Sequence, residues 1–278
     1  MRDITSNANK MDFSKFQLYS PDILNEHIFN LETKGYTLVE NFFNEEYCNY
    51  LREQLQEAID SYKPFDSSER SLLDKYHMHD LLCKNIVFGK TLEDPRLNQI
   101  LSAVLCDFWI MYAHTSSSLP PKGNNYGSRM HIDCPRQIPN YPTNIGVIWT
   151  LDNFTEDNGG TFVLPGSHHT KIVPTKAIFD KNCERIICKR GSLIVFNARV
   201  WHRAGENNTN EFRHSLTMNI CRPYMKQRCD WVRFIPTEIT NQLNPLARRI
   251  IGFDTRLPTS LDEFFQPENK RLYKAGQE

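Results

Sequence analysis

Residues 108–222 hold short runs of β-branched and aromatic residues separated by turn signals, and this pattern constrains the fold more than any other feature of the chain. Strands are expected at 109–114, 144–151, 161–164, 185–188, 193–196 and 215–221. Asp157-Asn158-Gly159-Gly160 and Pro165-Gly166-Ser167 are the clearest turns, and Gly191 marks another. Many short strands at this spacing predict a sandwich or jelly roll rather than a parallel α/β sheet. The flanks read as helix. Pro21 opens a helix carrying Ile23, Leu24, Ile28 and Leu31, which Gly35 closes. A short strand follows at 36–39, and Asn44 caps a helix through Tyr47, Leu51, Leu55 and Ile59. Further helices are expected at 97–105 and 239–251, and a polar loop at 63–75. Residues 1–14 read as a flexible terminus and 15–278 as a single domain, with a β core at about 108–222 and helical flanks at 21–105 and 228–252.

Composition narrows the partners. Lys+Arg and Asp+Glu each number 33, so the formal charge is zero, and the electrostatic case for nonspecific nucleic-acid or membrane-surface binding disappears. No apolar run is long enough to span a bilayer, and the polar first residues lack the apolar centre of a signal peptide. The eight cysteines include no C-x-x-C pair. They read as reduced, mostly buried thiols of a cytoplasmic protein, with Cys134 notable for adjoining Asp133. A small-molecule partner is expected, with neither nucleic acid nor membrane; the sequence leaves the oligomeric state open.

Chemistry concentrates at His131 and Asp133, in Met130-His131-Ile132-Asp133, and at His202, in Trp201-His202-Arg203. Positions i and i+2 of a strand share a face, so one imidazole and one carboxylate can converge on a point. A distal histidine completes a two-His, one-carboxylate set, which covers one face of an octahedral Fe(II) and leaves the opposite positions open. Arg213 and Ser215 share one strand face in the same way, and a guanidinium fork matches a carboxylate. Taken alone, each residue has a plainer reading. His131 can be a hydrogen-bonded strand histidine, Asp133 a turn former before Pro135, His202 a half-buried ring beside Trp201, and Arg213 a surface arginine.

The H-x-D at His131 and Asp133, the run Asn158-Gly159-Gly160 to Pro165-Gly166-Ser167-His168, and the ending His202 with Arg213-His214-Ser215 occur in that order. Together they resemble the phytanoyl-CoA dioxygenase family of Fe(II)- and 2-oxoglutarate-dependent oxygenases, over roughly 35–222. The resemblance implies a double-stranded β-helix (a cupin-like jelly roll) with flanking helices. It implies His131, Asp133 and His202 as iron ligands, and Arg213 with Ser215 as the grip on the far carboxylate of 2-oxoglutarate. Trp149 and, more weakly, Thr161 would line the co-substrate pocket. With O2 as second co-substrate, 2-oxoglutarate would leave as succinate and CO2 while a C–H bond of a small polar metabolite is hydroxylated or otherwise oxidised. Halogenating relatives have a small residue where Asp133 stands, so a carboxylate there implies oxygenation. Nothing in the chain argues for a CoA thioester.

Tyr126, Arg136 and Gln137 flank the H-x-D and are candidate substrate contacts. Residues 116–126 read either as a lid or as an ordinary loop. His168 and His169 follow a Pro-Gly-Ser turn and are expected at the surface or behind the ligands; His214 should face away from Arg213; His77 and His79 lack a carboxylate partner of comparable support. Two other classes remain open: a cupin-type isomerase or hydrolase holding another metal, and a non-enzymatic metal or ligand sensor.

Overall fold

Helix signals in the first third act where they stand. In the computed structural model, which describes residues 11–63 and 75–271, the Ser20 side chain accepts the Ile23 N–H and Pro21 takes the first helical position of α1 (Pro21–Thr33). Gly35 ends that helix with φ of 86°, its N–H bonded to Asn30 O, a conformation that costs a Cβ-bearing residue strain. Strand β1 (Tyr36–Val39) follows, and Asn44 accepts the Tyr47 N–H to start α2 (Glu45–Asp60). The remaining helices are α3 (Ile86–Lys90), α4 (Pro95–Leu105), α5 (Lys176–Asn182), α6 (Trp231–Phe234), α7 (Thr237–Thr240), α8 (Pro245–Ile251) and α9 (Leu261–Phe264). The remaining strands are β2 (Ile110–Ser116), β3 (Asn144–Thr150), β4 (Phe162–Val163), β5 (Glu184–Arg185), β6 (Leu193–Asn197), β7 (His202–Arg203) and β8 (Ser215–Cys221).

All pairings are antiparallel. One sheet runs β1-β6-β3-β8-β2 and a smaller one β5-β4-β7. Side-chain alternation gives the larger sheet two different faces. Ile145, Val147, Trp149, Leu193, Val195, Leu216, Met218 and Ile220 pack with Leu51, Leu55, Leu97 and Leu101 of the helices in the main core. From the other face, Ile148, Ile194 and Phe196 meet Phe154, Val163, Ile186 and Val200 in a second core beside the smaller sheet. Ile148 and Phe196 of this second core also line a cavity.

Four expectations need adjustment. The tail is not one helix over 239–251: Asn244 caps a new start at Pro245, whose ring cannot continue α7. Of the stretch expected as a flexible end, residues 1–10 lie outside those described, while Phe13 is buried against Phe43 and Tyr47. Most of the loop expected at 63–75 lies outside them as well. The start of 116–126 is tied down as an extension of β2: Ser117 and Ser215 exchange N–H···O bonds, as do Leu119 and Arg213. Among the described residues, no helix is long and apolar enough to cross a membrane.

Candidate metal and co-substrate site

His131 and His202 face each other across a single antiparallel bridge, each N–H bonded to the other's carbonyl at 3.0 Å. Asp133 lies one bend further on, where its N–H and that of Cys134 both donate to Ala198 O at 2.8 and 3.0 Å. The expected strand around His131 is therefore one bridge followed by a bend, and the convergence of i and i+2 survives. His131 Nε2 lies 3.5 Å and His202 Nε2 4.0 Å from Asp133 Oδ1, and the candidate ligand atoms all fall within 4.8 Å of one another.

Both rings are oriented from behind. His131 Nδ1 bonds Arg129 O at 2.6 Å, and His202 Nδ1 bonds Val200 O at 2.9 Å. A carbonyl only accepts, so each Nδ1 carries a hydrogen and each Nε2 is the ring nitrogen turned toward Asp133. Burial holds the His202 imidazole below its ordinary range despite the pull of Asp133. For Asp133, burial works to raise the carboxyl, but the His131 hydrogen bond and the charges of His202, His131 and Arg228 outweigh it, so the group sits low and ionised. Burial lowers His131, and the Asp133 hydrogen bond and charge overturn that. Once a metal displaces the proton that Asp133 favours on His131, two imidazole nitrogens and a carboxylate oxygen make a donor set for a first-row divalent metal such as Fe(II).

A cavity of about 160 Å³ leads from this cluster, lined by His131, Asp133, His202, Thr161, Arg213 and Ser215 among others. Arg213 is only 2% exposed. Its Nη1 donates to Ser215 Oγ at 3.0 Å and its Nη2 to Gly159 O at 3.4 Å, while Nε has no partner. Its guanidinium lies 4.4 Å from the Phe154 ring centre. Burial pulls it down to about 10, against the charges of Asp152 and Cys188, so it stays cationic at neutral pH. A buried guanidinium needs a compensating partner, and Arg213 lines the cavity with its Nε unpartnered.

Other expected residues divide. Ser215 and Thr161 reach the cavity wall. Trp149 does not: it packs in the helical core, although its neighbours Val147 and Ile148 both reach the wall. Tyr126 is 44% exposed, with its ring 6.5 Å from that of the cavity-lining His77. Arg136 is exposed and outside the lining, and Gln137 donates to His169 O at 2.8 Å instead. His214 turns away from Arg213 and bonds Ser118 Oγ at 2.8 Å; His168 and His169 both bond Glu32 O, away from the cavity. The wall also includes His77, Thr115, Phe196, Thr217, Asn219 and Arg228, which the strand reading missed. Arg213, Ser215, Thr217 and Asn219 alternate along the chain, and this run of polar residues at period two was a usable signal.

Comparisons with known proteins agree with this geometry. The family model "Phytanoyl-CoA dioxygenase (PhyH)" matches residues 31–215. An uncharacterised protein of Mycobacterium tuberculosis, Rv1501, is 28% identical over 89% of this chain and 93% of its own. The dioxygenase cdmD of Talaromyces verruculosus is 22% identical over 84% of each chain. Among solved structures, EctD from S. alaskensis, determined with 2-oxoglutarate and 5-hydroxyectoine, superposes with a TM-score of 0.61 at 16% identity, covering 73% of this chain and 76% of EctD. EvdMO1 follows at 0.58 and 18%, over 72% of this chain and 50% of its own. With two-thirds of its length matched by the family model and the expected residues gathered around one cavity, the chain belongs to the phytanoyl-CoA dioxygenase family and is a 2-oxoglutarate-dependent dioxygenase.

Proposed function

We propose that His131, Asp133 and His202 hold Fe(II), that Arg213 and Ser215 anchor 2-oxoglutarate, and that the enzyme hydroxylates an unactivated C–H bond of a small polar molecule, releasing succinate and CO2. We read the two antiparallel sheets as the halves of a double-stranded β-helix around the site. The observation that carries the proposal is a buried cationic Arg213 with an unpartnered Nε, on the cavity that also holds a two-His, one-carboxylate cluster. Bound iron supplies the oxidising chemistry with O2.

The chain's own residues position the reactants. The carbonyls of Arg129 and Val200 fix which imidazole nitrogen faces inward. Arg213 offers a planar fork to the distal carboxylate, and its bond to Ser215 sets the plane of that fork. The Phe154 ring over the guanidinium, with Phe196 on the wall, keeps water from this end of the cavity. As a ligand, Asp133 would take the place a halide would need, which favours oxygenation. The cytoplasm is the expected compartment.

Anaerobic addition of Fe(II) and 2-oxoglutarate should give the visible charge-transfer band of a metal-chelated keto acid. Admitting O2 should yield succinate, and His131→Ala should remove both signals. Activity supported by Zn with no 2-oxoglutarate bound or consumed would point to a cupin-type isomerase or hydrolase instead.

A further inference from the structure

We propose that Arg228 binds a carboxylate of the primary substrate, so that the enzyme oxidises a small organic acid held between Arg228 and the metal cluster. The proposal rests on the dioxygenase reading above and adds the substrate class. Arg228 lines the cavity although it lies after β8, outside both sheets. Its backbone is fixed. The Arg228 N–H donates to Tyr112 O at 3.1 Å, and the Gln227 side chain bridges Met111 O and Ile251 O at 2.6 and 2.9 Å.

Arg213 and Arg228 enter the cavity from opposite ends of the β2/β8 ladder. Arg213 pairs with Leu119, while Arg228 is held at Tyr112. The seven residues between these levels correspond to about 23 Å at about 3.3 Å per residue. The two arginines are thus anchored at opposite ends of the ladder while lining one cavity, and with Arg213 assigned to 2-oxoglutarate the second guanidinium suits a different anion. The Arg228 charge reaches Asp133, which puts this end on the metal's side.

Arg228 has donors to spare. Its Nη1 meets His79 Nδ1 at 3.4 Å, a long bond to an imidazole that supplies no counter-charge as an acceptor, and among the described residues it pairs with no carboxylate. One guanidinium here suits a singly charged carboxylate better than a phosphate dianion. The cavity wall carries polar groups among its apolar ones. Thr115 and Thr217 share one hydrogen bond at 2.6 Å, which leaves one hydroxyl proton over, and Asn144 binds Asn219 Oδ1 at 2.8 Å, which leaves the Asn219 amide as a donor. These groups fit a small polar acid.

The test uses the full-length protein, loaded anaerobically with Fe(II) and 2-oxoglutarate. The probes are straight-chain mono- and dicarboxylic acids and amino acids, each beside its own carboxamide. Acids should perturb the charge-transfer band at concentrations at least about tenfold below their amides, because a charge-assisted bond is roughly twice as strong as a neutral one. Arg228→Gln should erase that preference while the band itself and 2-oxoglutarate affinity persist; Arg228→Lys should restore part of it. A band with no acid preferred over its amide, or a preference that survives Arg228→Gln, overturns the proposal alone. Absence of the band from the wild-type protein overturns the dioxygenase reading and this proposal with it.

Discussion

His131 and His202 exchange both backbone hydrogen bonds at 3.0 Å, and their ring centres lie 4.2 Å apart. One bridge thus locks the relative position of two candidate ligands from distant parts of the chain, and each ring is then pinned through Nδ1 to a carbonyl two residues away. Removing an orienting outer partner of a metal site typically costs about 10–100-fold in affinity. Loss of a ligand itself should exceed this. His131→Ala, Asp133→Ala and His202→Ala are each expected to weaken Fe(II) binding by more than about a hundredfold, read by anaerobic titration, with the circular dichroism of the fold retained. Retention of wild-type Fe(II) affinity by any of the three would remove that residue from the ligand set.

Arg213 supplies a second test, with opposite signs in the free and loaded protein. The buried guanidinium burdens the free enzyme and serves only when an anion arrives. Arg213→Met should therefore leave the free protein as stable as wild type or more so. Saturating 2-oxoglutarate at a hundred times its Kd should stabilise the wild-type protein by about 2.7 kcal/mol, roughly 5–10 °C in Tm, and the variant hardly at all. Thermal scans with and without 2-oxoglutarate decide it; an equal shift in both proteins would place the anion elsewhere.

Gly146 faces Phe196 across the β3–β6 pair, and a Cβ there would lie 2.1 Å from the tip of the Phe196 ring. That ring is buried and stacks edge-on against His202 at 4.8 Å between centres. Gly146→Ala should therefore push Phe196 toward His202. Overpacking of this kind costs about 1–3 kcal/mol. Fe(II) affinity should fall with stability, and Phe196→Leu in the same chain should recover part of both. Urea unfolding and metal titration on the single and double variants measure the coupling, which should be absent if Phe196 simply swings aside.

The His131, Asp133 and His202 cluster was legible because it combines residue types that strands and turns rarely combine in that order, and Arg213 with Ser215 obeyed the period-two rule. Trp149 was misplaced for a physical reason. Val147-Ile148-Trp149 is apolar on both faces because both faces are buried, so no polar residue marks which parity meets the cavity. Strand β7 escaped notice because it is two residues long and exists through pairing with β4. Arg228 lay beyond reach for a different cause: its place depends on a hydrogen bond to Tyr112, far away in sequence. The break between α7 and α8, by contrast, was written in Asn244-Pro245 and hidden only by the apolar spacing around it.

His114 and His214 make the fold sensitive to acid. Burial lowers His114 to about 3, and both its ring nitrogens are buried with no hydrogen-bond partner in the protein. Burial first, then the charges of Arg52 and Arg213, bring His214 to about 3 as well. In the unfolded chain both would titrate near 6.5. Above that pH neither state binds the extra proton and the groups contribute no slope. As pH falls below it the unfolded chain takes up protons that the folded protein refuses, so stability drops until the folded values near 3 are passed. Each group contributes a slope of up to about 1.4 kcal/mol per pH unit. His114→Leu should remove one of the two contributions and relieve an unpaired polar ring in the core. Its urea midpoint should therefore fall less than that of wild type between pH 7 and pH 5. Parallel pH profiles for the two proteins would show that His114 takes up its proton without unfolding the chain.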